Sequence, residues 1–287
     1  MTRPLLSVII PTRNRAHLVG EAIDSALAQQ PGKVEVIVVD DGSTDDTMNL
    51  LQQTYGARIR VLSLPQRRGA GAARNAGIRV ASGELVAFLD DDDLWLPGKL
   101  AAEFSVFERF PLAEAVVSDS LVFVQGQVAG KSFLDRNGVL AATRGEARWA
   151  NDCNWLWTNS LNGVAICSIT LRESVLTRIK EPWFAEDLVS CEDWELEMRI
   201  YHSCRVAVLP QVLAWVRRLD DGVRVGRTPP GKPPTREEQM AMLRDRLKVM
   251  ERSHWLRGLR ADLAAELERF RNDTVSQLAQ LECPDNR

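Results

Sequence analysis

The chain has few of the residues that build thiolate-metal or disulfide frameworks. Its five cysteines, Cys153, Cys167, Cys191, Cys204 and Cys283, are dispersed without a Cys-x-x-Cys pair, and its histidines are His17, His202 and His254. No zinc-ligand spacing arises from that set, and an odd number of scattered thiols reads as reduced and mostly buried. Basic excess is missing too. A net charge of -3 over 287 residues leaves no electrostatic footprint for nucleic acid. No run approaches the roughly 18 uninterrupted apolar residues of a membrane span, and the N-terminus lacks an apolar signal region with a cleavage site. These absences predict a cytoplasmic protein. A Gly-x-x-x-x-Gly-Lys-Ser/Thr phosphate loop is also absent.

What is present is an ordinary globular composition, 45% hydrophobic and 26% charged, enough for one large α/β domain or a domain with an accessory segment. Apolar runs at 5–10, 34–39, 59–62 and 85–89 predict buried parallel strands. Between them lie helical patterns at 18–29, 44–55 and 71–81. The alternation predicts a doubly wound sheet with ligands beyond the carboxyl ends of its strands. The stretch 115–169 reads as strands and loops. Its Trp149, Trp155 and Trp157, with Trp183 further on, are taken mainly as core. A helix with an acidic start at 189–201 and a last strand at 206–216 follow. Pro and Gly crowd 225–234, which reads as a mobile loop. Residues 235–282 then read as helix from a cap-like Thr235, Glu237, Glu238 start. The apolar face of that helix (Met240, Leu243, Leu247, Met250, Leu256, Leu259, Leu263, Leu267 and Phe270) would pack on the domain or on a second copy as a homodimer. Arginines beside Trp255 leave a peripheral membrane contact open.

Three segments carry chemistry. In Phe88-Leu89-Asp90-Asp91-Asp92-Asp93-Leu94-Trp95, four carboxylates follow a strand. So placed they can hold a hard divalent cation whose open positions take substrate phosphates; the alternative is a solvated acidic turn. Ser7 to Asn14 (SVIIPTRN) pairs with Val38 to Asp45 (VVDDGSTD), a strand-end acidic turn able to accept hydrogen bonds from a base and ribose. Arg68 to Gly77 (RGAGAARNAG) offers small residues for close backbone approach, and its arginines could meet phosphate. Each segment is weak alone.

In this order and spacing they resemble the family 2 glycosyltransferases, whose motifs read SVIIPTxN, VVDDGSxD, GxxxARNxGI and FLDxDDxW. Cys191-Glu192-Asp193-Trp194-Glu195 stands where that family carries its ED motif. The match is close over 5–99 and reaches about 216. The resemblance implies an α/β GT-A fold, a Rossmann-like mostly parallel sheet flanked by helices, with a C-terminal helical segment. It divides the chain into a nucleotide-sugar-binding half (1–110), an acceptor-binding half (111–224), the mobile loop (225–234) and the helical segment (235–287). It implies an inverting transfer from a nucleotide sugar, UDP-linked by preference, to a glycan, lipid-linked or small-molecule acceptor, with Mn2+ or Mg2+ and no nucleic acid. Such an enzyme would work in the cytoplasm or at the inner face of the membrane. By motif, Pro11, Arg13 and Asp41 would line the nucleoside pocket, with Thr12 and Asn14 beside them. Arg68, Arg74 and Arg217 would serve the donor, as would Asp91 between the metal residues Asp90 and Asp92. Asp193 would be the general base with Glu192 next to it, and Trp157, Asn162 and Trp194 would meet the acceptor.

Two departures stand out. No aromatic residue accompanies Arg13, and where many members carry YRxH this chain reads Trp215-Val216-Arg217-Arg218-Leu219, so if a residue there touches diphosphate it must be Arg217 or Arg218. Other readings remain: an acidic first helical turn for Glu192 and Asp193, a surface salt bridge for Arg74, and a catalytically silent nucleotide-sugar-binding scaffold for the whole. A sugar-1-phosphate nucleotidyltransferase would want a glycine-rich loop and lysine after the first strand, and residues 11–15 supply neither.

Overall fold

A computed structural model of the chain describes residues 5–29, 33–124, 126–136, 138–150, 164–218, 235–252 and 261–282, the last with side chains from 268 onward. Four parallel strands, β1 (Leu6–Thr12), β2 (Val34–Asp40), β3 (Arg60–Ser63) and β4 (Leu85–Phe88), stand in the order β3-β2-β1-β4. Successive strand side chains point to opposite faces, so each apolar run feeds two cores. Ile9, Ile37, Val39, Val86 and Phe88 pack on one face with Ala73 and Ile78 of helix α3 (Ala70–Val80). Val8, Ile10, Val36, Val38 and Ala87 pack on the other with Ala22 and Ile23 of α1 (Val19–Leu27) and Leu100 and Phe107 of α4 (Lys99–Arg109). Burial on both faces is why β1, β2 and β4 are largely apolar; β3, expected to be buried, is instead the sheet edge, with Arg60 and Ser63 exposed and Val61 and Leu62 partly covered.

Beyond β4 the sheet becomes mixed. β9 (Ile169–Arg172) lies antiparallel between β4 and β6 (Ala115–Val124), and β10 (Val206–Arg218) runs parallel to β6. The short strand β5 (Leu94–Trp95) pairs with β10, as does β8 (Arg148–Trp149), and β7 (Gln127–Val128) pairs with β6. The helix expected at 44–55 begins at α2 (Thr47–Leu50) and widens into a π-type turn over Leu51–Tyr55. Within the stretch read as strands and loops stand two short helices, α5 (Phe133–Arg136) and α6 (Val139–Thr143). α7 (Glu173–Ile179) follows β9, and α8 (Glu192–Ser203) precedes β10.

The C-terminal segment is two helices among the described residues, α9 (Arg236–Arg252) and α10 (Ala261–Glu282). Thr235 Oγ1 accepts the Glu238 N–H at 3.2 Å while Glu238 accepts the Thr235 N–H at 2.8 Å, a reciprocal capping box. Arg236 reaches the Leu281 carbonyl at 2.6 Å, so the start of α9 meets the end of α10. Val249 and Met250 pack on Ala185, Leu188, Cys191, Trp194 and Met198. Among the described residues of the apolar face, Leu243 and Met250 are buried, and Leu247 and Phe270 pack against the cluster around Met250. Leu256 and Leu259, the side chains of Leu263 and Leu267, and the loop 225–234 lie outside the described residues. No described helix is long and apolar enough to cross a membrane. Cys167, Cys191 and Cys204 are free and buried.

Candidate active site

A cleft opens beyond the carboxyl ends of β1, β2 and β4. The last ladder bond there runs from the Leu89 N–H to the Ile9 carbonyl at 3.0 Å, and the chain then turns, the Asp93 N–H donating to the Asp90 carbonyl at 3.0 Å. The turn returns Asp93 to the side of Asp90, and with Asp92 they place carboxylate oxygens within 4.8 Å of one another. Asp91 is directed elsewhere: it is buried and accepts the Thr12 hydroxyl at 2.7 Å. β5 then locks onto β10, where the Arg217 N–H donates to Asp93 Oδ1 at 3.0 Å and its guanidinium bonds the Asp92 carbonyl and Glu21. Burial first, and then the charges of Asp92 and Asp90, raise the Asp91 carboxyl to about 7 and that of Asp93 well above its ordinary value. Arg15, 1% exposed, stands 3.7 Å from Asp92. This crowded all-oxygen donor set suits a hard divalent cation, which Asp90, Asp92 and Asp93 would hold.

The facing wall is the start of α8. Glu192 and Asp193 line the cleft, and Arg74 of α3 connects Glu192 to the acidic turn. Arg74 Nη2 donates to Asp90 at 2.5 Å and Nη1 to Glu192 at 2.8 Å, with its guanidinium over the Phe184 ring at 5.1 Å. At 4% side-chain exposure it is no surface salt bridge. α3 can present Arg74 at this depth because Gly77 lets it lie against β1; a Cβ there would stand 2.5 Å from Ile9 Cγ2. Burial raises Glu192 to about 7, the Asp193 charge adds to this, and Arg74 opposes it.

The remaining expected residues divide. Pro11, Arg13 and Asp41 line the cleft, and Arg13 Nε is buried without a hydrogen-bond partner. Asp41 accepts the Arg68 N–H on one oxygen at 2.6 Å and the Gly69 N–H on the other at 2.8 Å, which fastens the loop before α3. Thr12 donates its hydroxyl to Asp91. Asn14 joins two loops, its Oδ1 accepting the Thr44 N–H at 2.7 Å and its N–H donating to Ser43 Oγ at 2.8 Å. The Arg68 guanidinium is half exposed and pairs with Glu186 at 2.6 Å, away from the cleft lining. Trp194 is buried against Phe270, ring centroids 6.3 Å apart, and so belongs to the α8–α10 contact rather than to an acceptor surface. Trp157 and Asn162 lie outside the described residues. Sequence reasoning missed Arg15 and Asp93 as cleft residues; the signals were a second arginine two positions after Arg13 and the i to i+3 return of a turn through four aspartates.

A ten-stranded sheet of this order with an acidic turn at its ligand edge defines the class as the GT-A glycosyltransferase fold. Residues 7–128 match the family model described as Glycosyl transferase family 2. A 102-residue stretch is 37% identical to the UDP-Glc:alpha-D-GlcNAc-diphosphoundecaprenol beta-1,3-glucosyltransferase WfgD of Escherichia coli, covering 36% of this chain and 40% of that one. The chain spans 33% and 40% of the first two curated relatives it matches. In fold it is similar to S. aureus TarS 1–349 in complex with UDP-GlcNAc, at TM-score 0.68 and 19% identity over 99% of this chain and 74% of that one. It is also similar to the mannosyltransferase PcManGT of Pyrobaculum calidifontis in complex with GDP-Man and Mn2+, at TM-score 0.66 and 20% identity over 100% and 77%.

Proposed function

We propose that this chain is an inverting glycosyltransferase that moves a sugar from a nucleotide sugar, UDP-linked, to a hydroxyl of a glycan or lipid-linked glycoconjugate. The observation that carries the reading is the cleft with the carboxylate turn 90–93 on one wall and the carboxylate pair Glu192–Asp193 on the other, joined through Arg74. Relatives that use UDP-Glc by name or bind UDP-GlcNAc favour a UDP-sugar, and the Mn2+ of the mannosyltransferase complex favours a cation at the turn. Residues 1–110 would then form the donor half, 111–224 the acceptor half, and the C-terminal helices a support for α8.

On this reading Arg13 takes the nucleoside side of the donor, and Arg15 and Arg217 hold the acidic turn in shape. Asp90, Asp92 and Asp93 would hold a divalent cation, which would supply charge neutralisation for the departing diphosphate. Asp193 takes the proton of the acceptor hydroxyl as its oxygen bonds to the anomeric carbon and the bond to diphosphate breaks. One carboxylate base suffices for that displacement. The test is incubation with UDP-Glc, UDP-GlcNAc and GDP-Man plus a diphosphoundecaprenol-linked sugar, reading nucleotide release and product anomeric configuration by NMR. Release from one UDP-sugar, inverted product and loss in Asp193→Asn support the reading; a retained configuration or full activity in Asp193→Asn refutes it.

A further inference from the structure

The chain enters α8 through residues 184–191, which are held from both sides. From α3, Asn75 bonds the Phe184 N–H and carbonyl at 2.9 Å each. From α9, Asp245, 4% exposed, accepts the Val189 N–H at 2.9 Å and the Ser190 N–H at 3.0 Å on one oxygen, while the other stands 3.1 Å from Lys248 Nζ. Arg252 adds an ion pair to Asp187. The next residue, Cys191, is in the left-handed region at φ +65, which a non-glycine residue keeps only when its surroundings impose it. Glu192 and Asp193 follow at once. Two backbone donors on a buried carboxylate oxygen are charge-assisted bonds; Val189 and Ser190 already line the cleft, and the bonds end two residues before Glu192. Asp245 itself is not among the residues lining that cleft.

We propose that Asp245 is a positioning residue for the transfer reaction: through the amides of Val189 and Ser190 it sets where α8 begins, and so where Asp193 stands relative to the acceptor hydroxyl. This rests on the transferase reading above. It makes the α9–α10 hairpin part of the reacting unit. The donor side is built on β1, β4 and α3, so losing Asp245 separates turnover from donor binding.

The test compares full-length wild type with Asp245→Ala, Asp245→Asn and, as a control, Arg244→Ala, which removes an exposed pair with Glu282. Asparagine keeps a carbonyl oxygen for the two amides and alanine keeps none. In Asp245→Ala, hydrogen exchange at Val189 and Ser190 should quicken about tenfold or more. The kcat for UDP release from UDP-GlcNAc should fall about 10- to 100-fold, as for a base displaced by a fraction of an ångström to an ångström. Manganese-dependent UDP affinity and donor KM should stay put, Asp245→Asn should recover most of the rate, and Arg244→Ala should match wild type. Unchanged exchange, an unchanged kcat despite faster exchange, or a loss confined to UDP affinity overturns the proposal. If wild type releases nucleotide from no sugar donor, the transferase reading and this role for Asp245 both fall, while the exchange result still tells whether the clamp exists.

Discussion

Arg74→Met removes the cation shared by Asp90 and Glu192 while keeping an unbranched chain of similar reach over Phe184. Breaking a buried ion pair by deleting one partner costs roughly 3–5 kcal/mol, because the remaining charge is left without compensation. The two carboxylates do not contribute alike. Asp90 keeps 33% of its side-chain exposure and is partly screened by water, whereas Glu192 keeps 13%, so the loss comes mainly from Glu192 and should be about 3 kcal/mol at pH 8. Protonation offers Glu192 a way out. With Arg74 present burial already raises its carboxyl to about 7; without the arginine it rises further, and at pH 5.5 the group is neutral in the variant. The deficit relative to wild type should therefore shrink on acidification. Urea unfolding followed by tryptophan fluorescence at pH 5.5 and pH 8 measures both values. A deficit below about 1 kcal/mol at pH 8, the range of exposed pairs, would refute the buried clamp, as would one that grows towards pH 5.5.

Stability of the metal-free wild type should itself decline as pH rises through neutrality. Glu192 goes from 4.5 in the unfolded chain to about 7 in the fold, so the folded state binds its proton more tightly; that stability is complete below 4.5 and is lost as pH passes 7, on the order of 3 kcal/mol at most. Asp91, also raised to about 7, acts in the same direction. Glu192→Gln should flatten the profile, and a wild type that gains stability from pH 5 to 8 would contradict the assignment. Gly77→Val should cost about 1–3 kcal/mol by overpacking Ile9 and Val39, read as a lower urea midpoint with an unchanged slope; a neutral result would mean that α3 does not lie this close to β1.

Much of the first half was legible because its signals are local. β1, β2 and β4 are buried on both faces and so read as largely apolar runs, and α1 repeats its buried Val19, Ala22, Ile23 and Ala26 at helical spacing. α4 was not legible. Its inward face carries Lys99 and Glu103, each 1% exposed and paired with each other, with Ser118 and Thr170 completing the polar cluster. Charge on a buried face disguises an amphipathic helix, and the partners that make it tolerable come from β6 and β9. The same limit applies at the site. Arg74 was visible as a candidate, but its partners lie 16 and 118 residues along the chain, and Asp41 was visible as an acceptor before its amide donors were known. Asp245 carried no local signal, since its role exists only where α9 meets the loop before α8.

Calorimetric titration of UDP, GDP and dTDP into wild type and Asp92→Ala, each with and without manganese, tests the donor cleft most directly. UDP should bind wild type only with manganese, and Asp92→Ala should weaken that binding by at least roughly 10- to 100-fold, the range for residues that only support a metal ligand. Binding of none of the three, or equal binding to Asp92→Ala, would contradict a nucleotide-sugar site at the acidic turn.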